Sequence, residues 1–128
     1  MFARIANVTL VVPDYDAAIA FYCDVLGFAL LEDTDLGDGK RWVRVVPQGG
    51  ETALLLAKAK GEAQVAAIGN QTGGRVAFFL HTNDFNREYY AVKAAGCEFS
   101  GPVREEAYGR VVVFSDPFGN LWDLIEPR

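Results

Sequence analysis

One histidine, His81, is the whole imidazole inventory of this 128-residue chain, and it bounds the chemistry open to the protein. An imidazole near neutral pH serves as acid, base or metal ligand; the plainer role for His81 is a strand-end residue facing water. A zinc site built on it needs carboxylates or cysteines for nearly all its other ligands. Ser100 and Ser115 are the only serines, and neither stands in the GxSxG turn that presents a nucleophile, which argues against a hydrolase triad. The glycine pairs Gly49-Gly50 and Gly73-Gly74 carry neither a Walker lysine nor GxGxxG spacing after a strand, so nucleotide binding has no support. Cys23 and Cys97 are too few for a disulfide scaffold and too far apart for a CxxC metal knuckle. Asp24 beside Cys23 has the wrong sign to activate a thiolate, and both cysteines read as reduced packing residues.

Aromatic residues offer a second kind of chemistry. Trp42, Phe79, Tyr108, Phe118 and Trp122 are candidates for caging a planar or cationic ligand, against the usual fate of strand aromatics as core. Strand alternation turns Trp122 away from Asp123 and into a helix-facing core, which leaves Trp42 and Phe79 as ligand candidates. The run Asp116-Pro117-Phe118-Gly119-Asn120 reads as turn chemistry. Glu105-Glu106 and the acids at Asp33, Asp35 and Asp38 read as solvated hairpin surface.

These residues need a scaffold, and composition says it is an ordinary globular one. The chain is 51% hydrophobic and 23% charged, with 12% aromatics, enough for one domain or two small modules. Seventeen acids against twelve bases give a net charge of −5, and the bases are scattered, which argues against nucleic acid as a partner. The longest apolar stretches, 76–80 and 111–114, are far short of the roughly 20 residues that cross a bilayer. Residues 1–10 lack the pattern of a secretory signal. No membrane partner and a cytoplasmic location are expected.

Residues 5–12 are β-branched and apolar, then Pro13-Asp14 breaks them and Asp14 or Asp16 can cap a helix over 16–26 that Gly27 stops. Strands at 28–31 and 41–46 flank Gly37-Asp38-Gly39 as a hairpin, and a further strand covers 52–57. The second half repeats this order: a strand at 76–80, a helix capped by Asp84 and ended by Gly96, then strands at 97–99, 110–114 and 121–125. Asn7 matches Arg75, Asp14 matches Asp84, Gly27 matches Gly96, Gly39 matches Gly109, Pro47 matches Pro117 and Leu55 matches Asp123, all at an offset of about 70 residues, the mark of a duplicated unit. Module one is 1–58, a linker with a helical fragment at 62–68 covers 59–73, and module two is 74–128.

Three segments carry a family likeness: NVTLVVPDYDAAIAFYCDVLGF at 7–28, GGRVAFFLHTNDF at 73–85, and YGRVVVFSDPFGNLWDLIEP at 108–127. On them the chain resembles the vicinal oxygen chelate superfamily, which groups glyoxalases, bleomycin-resistance proteins, fosfomycin-resistance enzymes and extradiol dioxygenases. The resemblance implies an α+β fold of two βαβββ modules forming a cup-shaped mixed sheet with helices outside, one domain over 1–128, often completed across a homodimer. Metal-dependent relatives carry a histidine on each module's first strand and a carboxylate on its last. The matching positions here are Asn7, Leu55, Arg75 and Asp123. Leu55 has no donor and Arg75 repels a divalent cation, so no metal cofactor is expected.

The resulting expectation is metal-independent binding of a small organic molecule in the cup, with Asn7, Thr9, Trp42, Leu55, Arg75, Phe79, His81 and Asp123 as contacts. Arg75 and Asp123 are expected to form a forked ion pair in place of the metal. The alternative is an enzyme, a metal-dependent glyoxalase-like lyase or isomerase or a ring-cleaving dioxygenase, needing a divalent metal at a relocated site. A metal-free enzyme would use His81 as its catalytic base.

Overall fold

Alternating apolar residues and two aspartate-capped helices produce the same strand and helix order twice in the computed structural model, which describes all residues from Met1 to Arg128. The chain divides into two compact units, Met1–Ile68 and Gly69–Arg128. No helix is long and apolar enough to cross a membrane.

In the first unit, β1 (Asn7–Val12) leads into α1 (Tyr15–Ile19), then β2 (Ala29–Gly37), β3 (Lys40–Val46), β4 (Ala53–Lys58) and α2 (Glu62–Ala67) follow. The sheet order is β1-β4-β3-β2, with β1 parallel to β4 and the other pairs antiparallel. Asp14 starts α1 by accepting from the Ala17 amide at 2.8 Å, so of the two aspartates read as caps it is Asp14 that serves. The helix does not stay regular. Residues Ala20–Val25 are π-helical, and the Leu26 amide reaches back to the Phe21 carbonyl at 3.1 Å. Between β2 and β3, Gly37 pairs with Lys40, and Asp38 and Gly39 take φ of 55° and 78°. Two positive φ values in a two-residue loop make the tight hairpin whose twist matches the strands. Leu10, Val12, Val43, Val45, Leu54 and Leu56 are buried on the face against which α1 packs.

The second unit has β5 (Phe78–His81), α3 (Phe85–Ala94), β6 (Arg104–Glu106), β7 (Gly109–Ser115) and β8 (Leu121–Pro127), ordered β5-β8-β7-β6. Again the first strand runs parallel to the last and the others are antiparallel. Asp84 caps α3 through the Arg87 amide at 3.2 Å, and Glu126 of β8 accepts the Phe85 amide at 2.9 Å, pinning the helix start to the sheet. Trp122 is buried and stacks on Phe114 with ring centroids 6.1 Å apart, as alternation predicts for the helix-facing side.

One expected strand changes. The strand expected at 97–99 is only a single bridge between Phe99 and Phe114, and the edge strand is Arg104–Glu106. The Ser100-Gly101-Pro102 run ends pairing there, because proline has no amide to donate to a ladder. The helical fragment expected at 62–68 forms as α2, which lies within the first unit and contacts β1.

Candidate functional site

Because side chains alternate along a strand, each sheet has a second face turned away from its helix, and most of the expected contact residues fall there. On the first sheet this face carries Asn7 and Thr9 from β1, Leu55 from β4, Trp42 and Arg44 from β3, and Glu32 from β2. Thr9 pairs with Leu55, Leu55 with Arg44, and Arg44 with Glu32, so these four stand in one row across four strands. Arg44 Nε donates to Asn7 Oδ1 at 2.8 Å, and its Nη1 meets Glu32 Oε1 at 2.5 Å. The Arg44 side chain is only 20% exposed. Trp42 lies one step along β3, opposite Thr34, half-buried on the same face. A planar side chain, an aliphatic surface and a guanidinium already held by two partners thus occupy one patch.

Arg44 was not among the residues singled out from sequence. The signal was available two positions from Trp42, but its value depends on the β1–β4–β3 register, which brings Asn7 within reach.

On the opposite face, Arg41 binds Asp33 at 2.7 Å and Asp16 at 2.9 Å, tying the hairpin to α1. The hydrogen bond from Arg41 holds the Asp33 carboxyl below the usual carboxylate range, and partial loss of solvation opposes it without cancelling it.

On the second sheet Phe79 pairs with Asp123 in parallel register, and Asp123 pairs with Val113 across β7. Asp123 is 8% exposed, its Oδ1 is buried, and that atom has no hydrogen-bond partner. Burial pushes its carboxyl above the ordinary pKa, with the Arg104 charge pulling the other way. Phe79 beside it is 65% exposed. His81 ends β5 two rungs beyond, on the same face, opposite Ile125 and exposed, with no carboxylate in its own rung to make it a relay.

Arg75 is not where the expected ion pair needs it. It lies outside β5, which begins at Phe78, in an exposed turn, and makes no ion pair with Asp123. Gly73 and Gly74 take φ of 68° and 102°, and the Thr72 hydroxyl donates to the Arg75 carbonyl at 2.6 Å. The turn engages Arg75's backbone before the ladder starts, so Phe79 rather than Arg75 stands beside Asp123.

The Asp116 turn is structural, as its composition predicts. Asp116 Oδ1 accepts from the amides of Phe118 and Asn120 at 2.9 and 3.0 Å. Its Oδ2 accepts from Asn120 Nδ2 and from the Trp122 indole, both at 3.0 Å. Cys23 and Cys97 are half-buried free thiols; burial and then a neighbouring aspartate, Asp24 and Asp116 respectively, push both pKa values up, which disfavours the reactive thiolate.

A divalent metal does not fit the four positions expected, from the resemblance, to correspond to metal ligands. Leu55 has no donor atom, Arg75 lies in the turn, and Asn7 Oδ1 already accepts from Arg44. No three His, Cys, Asp or Glu side chains converge anywhere in the chain as a metal cage.

Comparison with known proteins gives a consistent answer. The pattern describing the Glyoxalase/Bleomycin resistance protein/Dioxygenase superfamily matches residues 4–124. An uncharacterized protein of Shewanella frigidimarina (strain NCIMB 400) is 49% identical, over 98% of this chain and 95% of its own. Among solved structures, UcmS2 is 30% identical with a TM-score of 0.81, covering 98% of this chain and 99% of the other. TnmS3, an antibiotic binding protein from Streptomyces sp. CB03234, is 28% identical with a TM-score of 0.78, covering 99% and 98%.

Proposed function

The chain belongs to the glyoxalase/bleomycin resistance protein/dioxygenase superfamily, and on that premise we propose that it binds a small organic molecule with planar or aromatic parts and needs no metal to do so. The observation that carries this reading is the Arg44 network. A mostly buried guanidinium clamped by Asn7 and Glu32, next to the Trp42 ring and the Leu55 side chain, has the composition of a small-molecule site: apolar walls and a few fixed polar atoms. Arg44 engages two of its five N–H donors there and offers the rest to a ligand oxygen. The likeness to TnmS3, an antibiotic binding protein, supports ligand binding over turnover. The misfit of the four metal positions supports metal independence.

Fluorescence titration tests it. A panel of flavones, naphthoquinones and phenazines is expected to contain at least one compound that quenches tryptophan emission saturably. Trp122 is buried and contributes background, so the Trp42→Phe variant is the control and should lose most of the quenching. A panel without any saturable binder overturns the reading. Metal analysis of protein purified without chelator or affinity tag is expected to show no stoichiometric metal. Near-stoichiometric nickel, zinc, manganese or iron surviving dialysis overturns metal independence alone.

The same reading includes a homodimer. Strand β2 is a sheet edge of 9 residues, and Leu30, Leu31 and Leu36 on it are exposed; an unpaired edge with apolar side chains favours pairing. Light scattering should give twice the 14.0 kDa chain mass, and a monomer throughout the micromolar range overturns this part.

A further inference from the structure

We propose that Asp123 and Phe79 form an anchoring site for a protonated amine carried on an aromatic body, an arylalkylammonium ligand. This rests on the small-molecule reading above and names the ligand class that the second unit's helix-free face takes.

The starting point is an oxygen without a partner. Asp123 Oδ1 is buried and accepts no hydrogen bond in a residue 8% exposed. A carboxylate removed from water is costly unless it is paired, and its surroundings on this face do not pair it. Phe79 and Val113 flank it in its own row, and Leu121 and Ile125 lie two residues either way along β8; none has a polar side-chain atom. Two basic groups share this face. Arg104 on β6 acts on Asp123 through its charge without a hydrogen bond, and its Nη1 is bound to Glu106 at 3.0 Å. His81 lies two rungs along β5. From β7, Val111, Val113 and Ser115 bring no charge.

Phe79 supplies the second half of the argument. A phenyl ring 65% exposed beside a carboxylate gives a π face and a counter-charge in adjacent positions, the pairing that recognises ammonium groups. The ammonium is placed to meet the carboxylate from the side of the exposed Phe79 ring. An anion is repelled here, and a neutral alcohol gains a hydrogen bond without the charge term. The raised pKa of Asp123 agrees with a carboxylate lacking its partner, and a bound cation reverses it.

The probe is benzylammonium, titrated at pH 7.5 into the full chain and followed by amide resonances of residues 79 and 123, with benzyl alcohol and benzoate as matched neutral and anionic controls. Benzylammonium should saturate and bind at least tenfold more tightly than either control. Asp123→Asn, which preserves shape, should weaken it at least tenfold, and Phe79→Ala, a change at an exposed position, several-fold. The Asp123 carboxyl, read by its own carbon resonance, should titrate at lower pH with the probe present. Equal affinity for benzyl alcohol, or unchanged affinity in Asp123→Asn, overturns the proposal. Quenching at Trp42 by the planar panel together with no benzylammonium binding removes only the amine assignment; failure of both removes the small-molecule reading as well.

Discussion

Arg44 Nε donates to Asn7 Oδ1 at 2.8 Å, a bond that crosses Leu55 and ties β3 to β1 over the intervening strand β4. The same guanidinium reaches Glu32 on β2, so one side chain links strands at both edges of the first sheet. Hydrogen bonds to a charged group that is mostly shielded from water contribute more than exposed ion pairs.

A double-mutant cycle on Arg44→Ala and Asn7→Ala, read by urea melts, is expected to give a coupling of about 0.5–1.5 kcal/mol. Arg44→Ala alone should cost more than Asn7→Ala, because it also releases Glu32. Additive losses would show that the bond contributes nothing to stability.

Asp116 gathers four donors with its two oxygens, including the Trp122 indole. Asp116→Asn keeps the shape but places an amide donor where one of these donors sits. The expected loss is about 2–4 kcal/mol, with reduced near-ultraviolet circular dichroism from Trp122. A melt within about 0.5 kcal/mol of the unmodified protein, the range of ordinary surface changes, contradicts this account of the turn.

For Asp123 the sign runs opposite to that of most carboxylates. Its folded pKa is raised above the ordinary 3.8 by burial, so the folded state holds the proton more tightly than the unfolded chain does. Its contribution to stability is therefore full below about pH 3.8 and declines as pH rises through the folded pKa. Asp123→Asn should be more stable than the unmodified protein at pH 7, by on the order of 1 kcal/mol, with the gap closing in acid. Asp33, lowered by Arg41, behaves conventionally, and its contribution is lost as pH falls through its folded pKa. Melts of Asp123→Asn and its parent between pH 3 and 7 check this; a gap that widens in acid refutes it.

Gly109 opens β7 at φ 154°, and a Cβ there would collide with the backbone carbonyl oxygen of Glu126 on β8. Gly109→Ala is expected to cost about 1–3 kcal/mol and to weaken protection of the β7–β8 amides against hydrogen exchange. Unchanged protection would mean that the strands shift apart freely.

Local chemistry settled much of this protein before any packing was known. Asp14 and Asp84 start helices because a short carboxylate satisfies the free amides of a first turn; Gly27 and Gly96 follow the helices, with φ of 75° and 82°, where side chains with a Cβ are strained. Alternation put Trp122 in the core and Asp123 on the other face, and residues 116–120 were legible as a turn. Contacts between strands distant in sequence were not legible. Arg44 matters because three strands align in one register, and nothing within β3 itself says that Asn7 lies across from it. Arg75 stands elsewhere for the converse reason: a glycine-led turn takes up its backbone, β5 begins three residues later at Phe78, and the parallel register sets Phe79, four residues after Arg75, beside the buried carboxylate. The unpartnered oxygen of Asp123 belongs to the same class, since a residue type shows that a charge exists, and only the surrounding fold decides whether anything meets it.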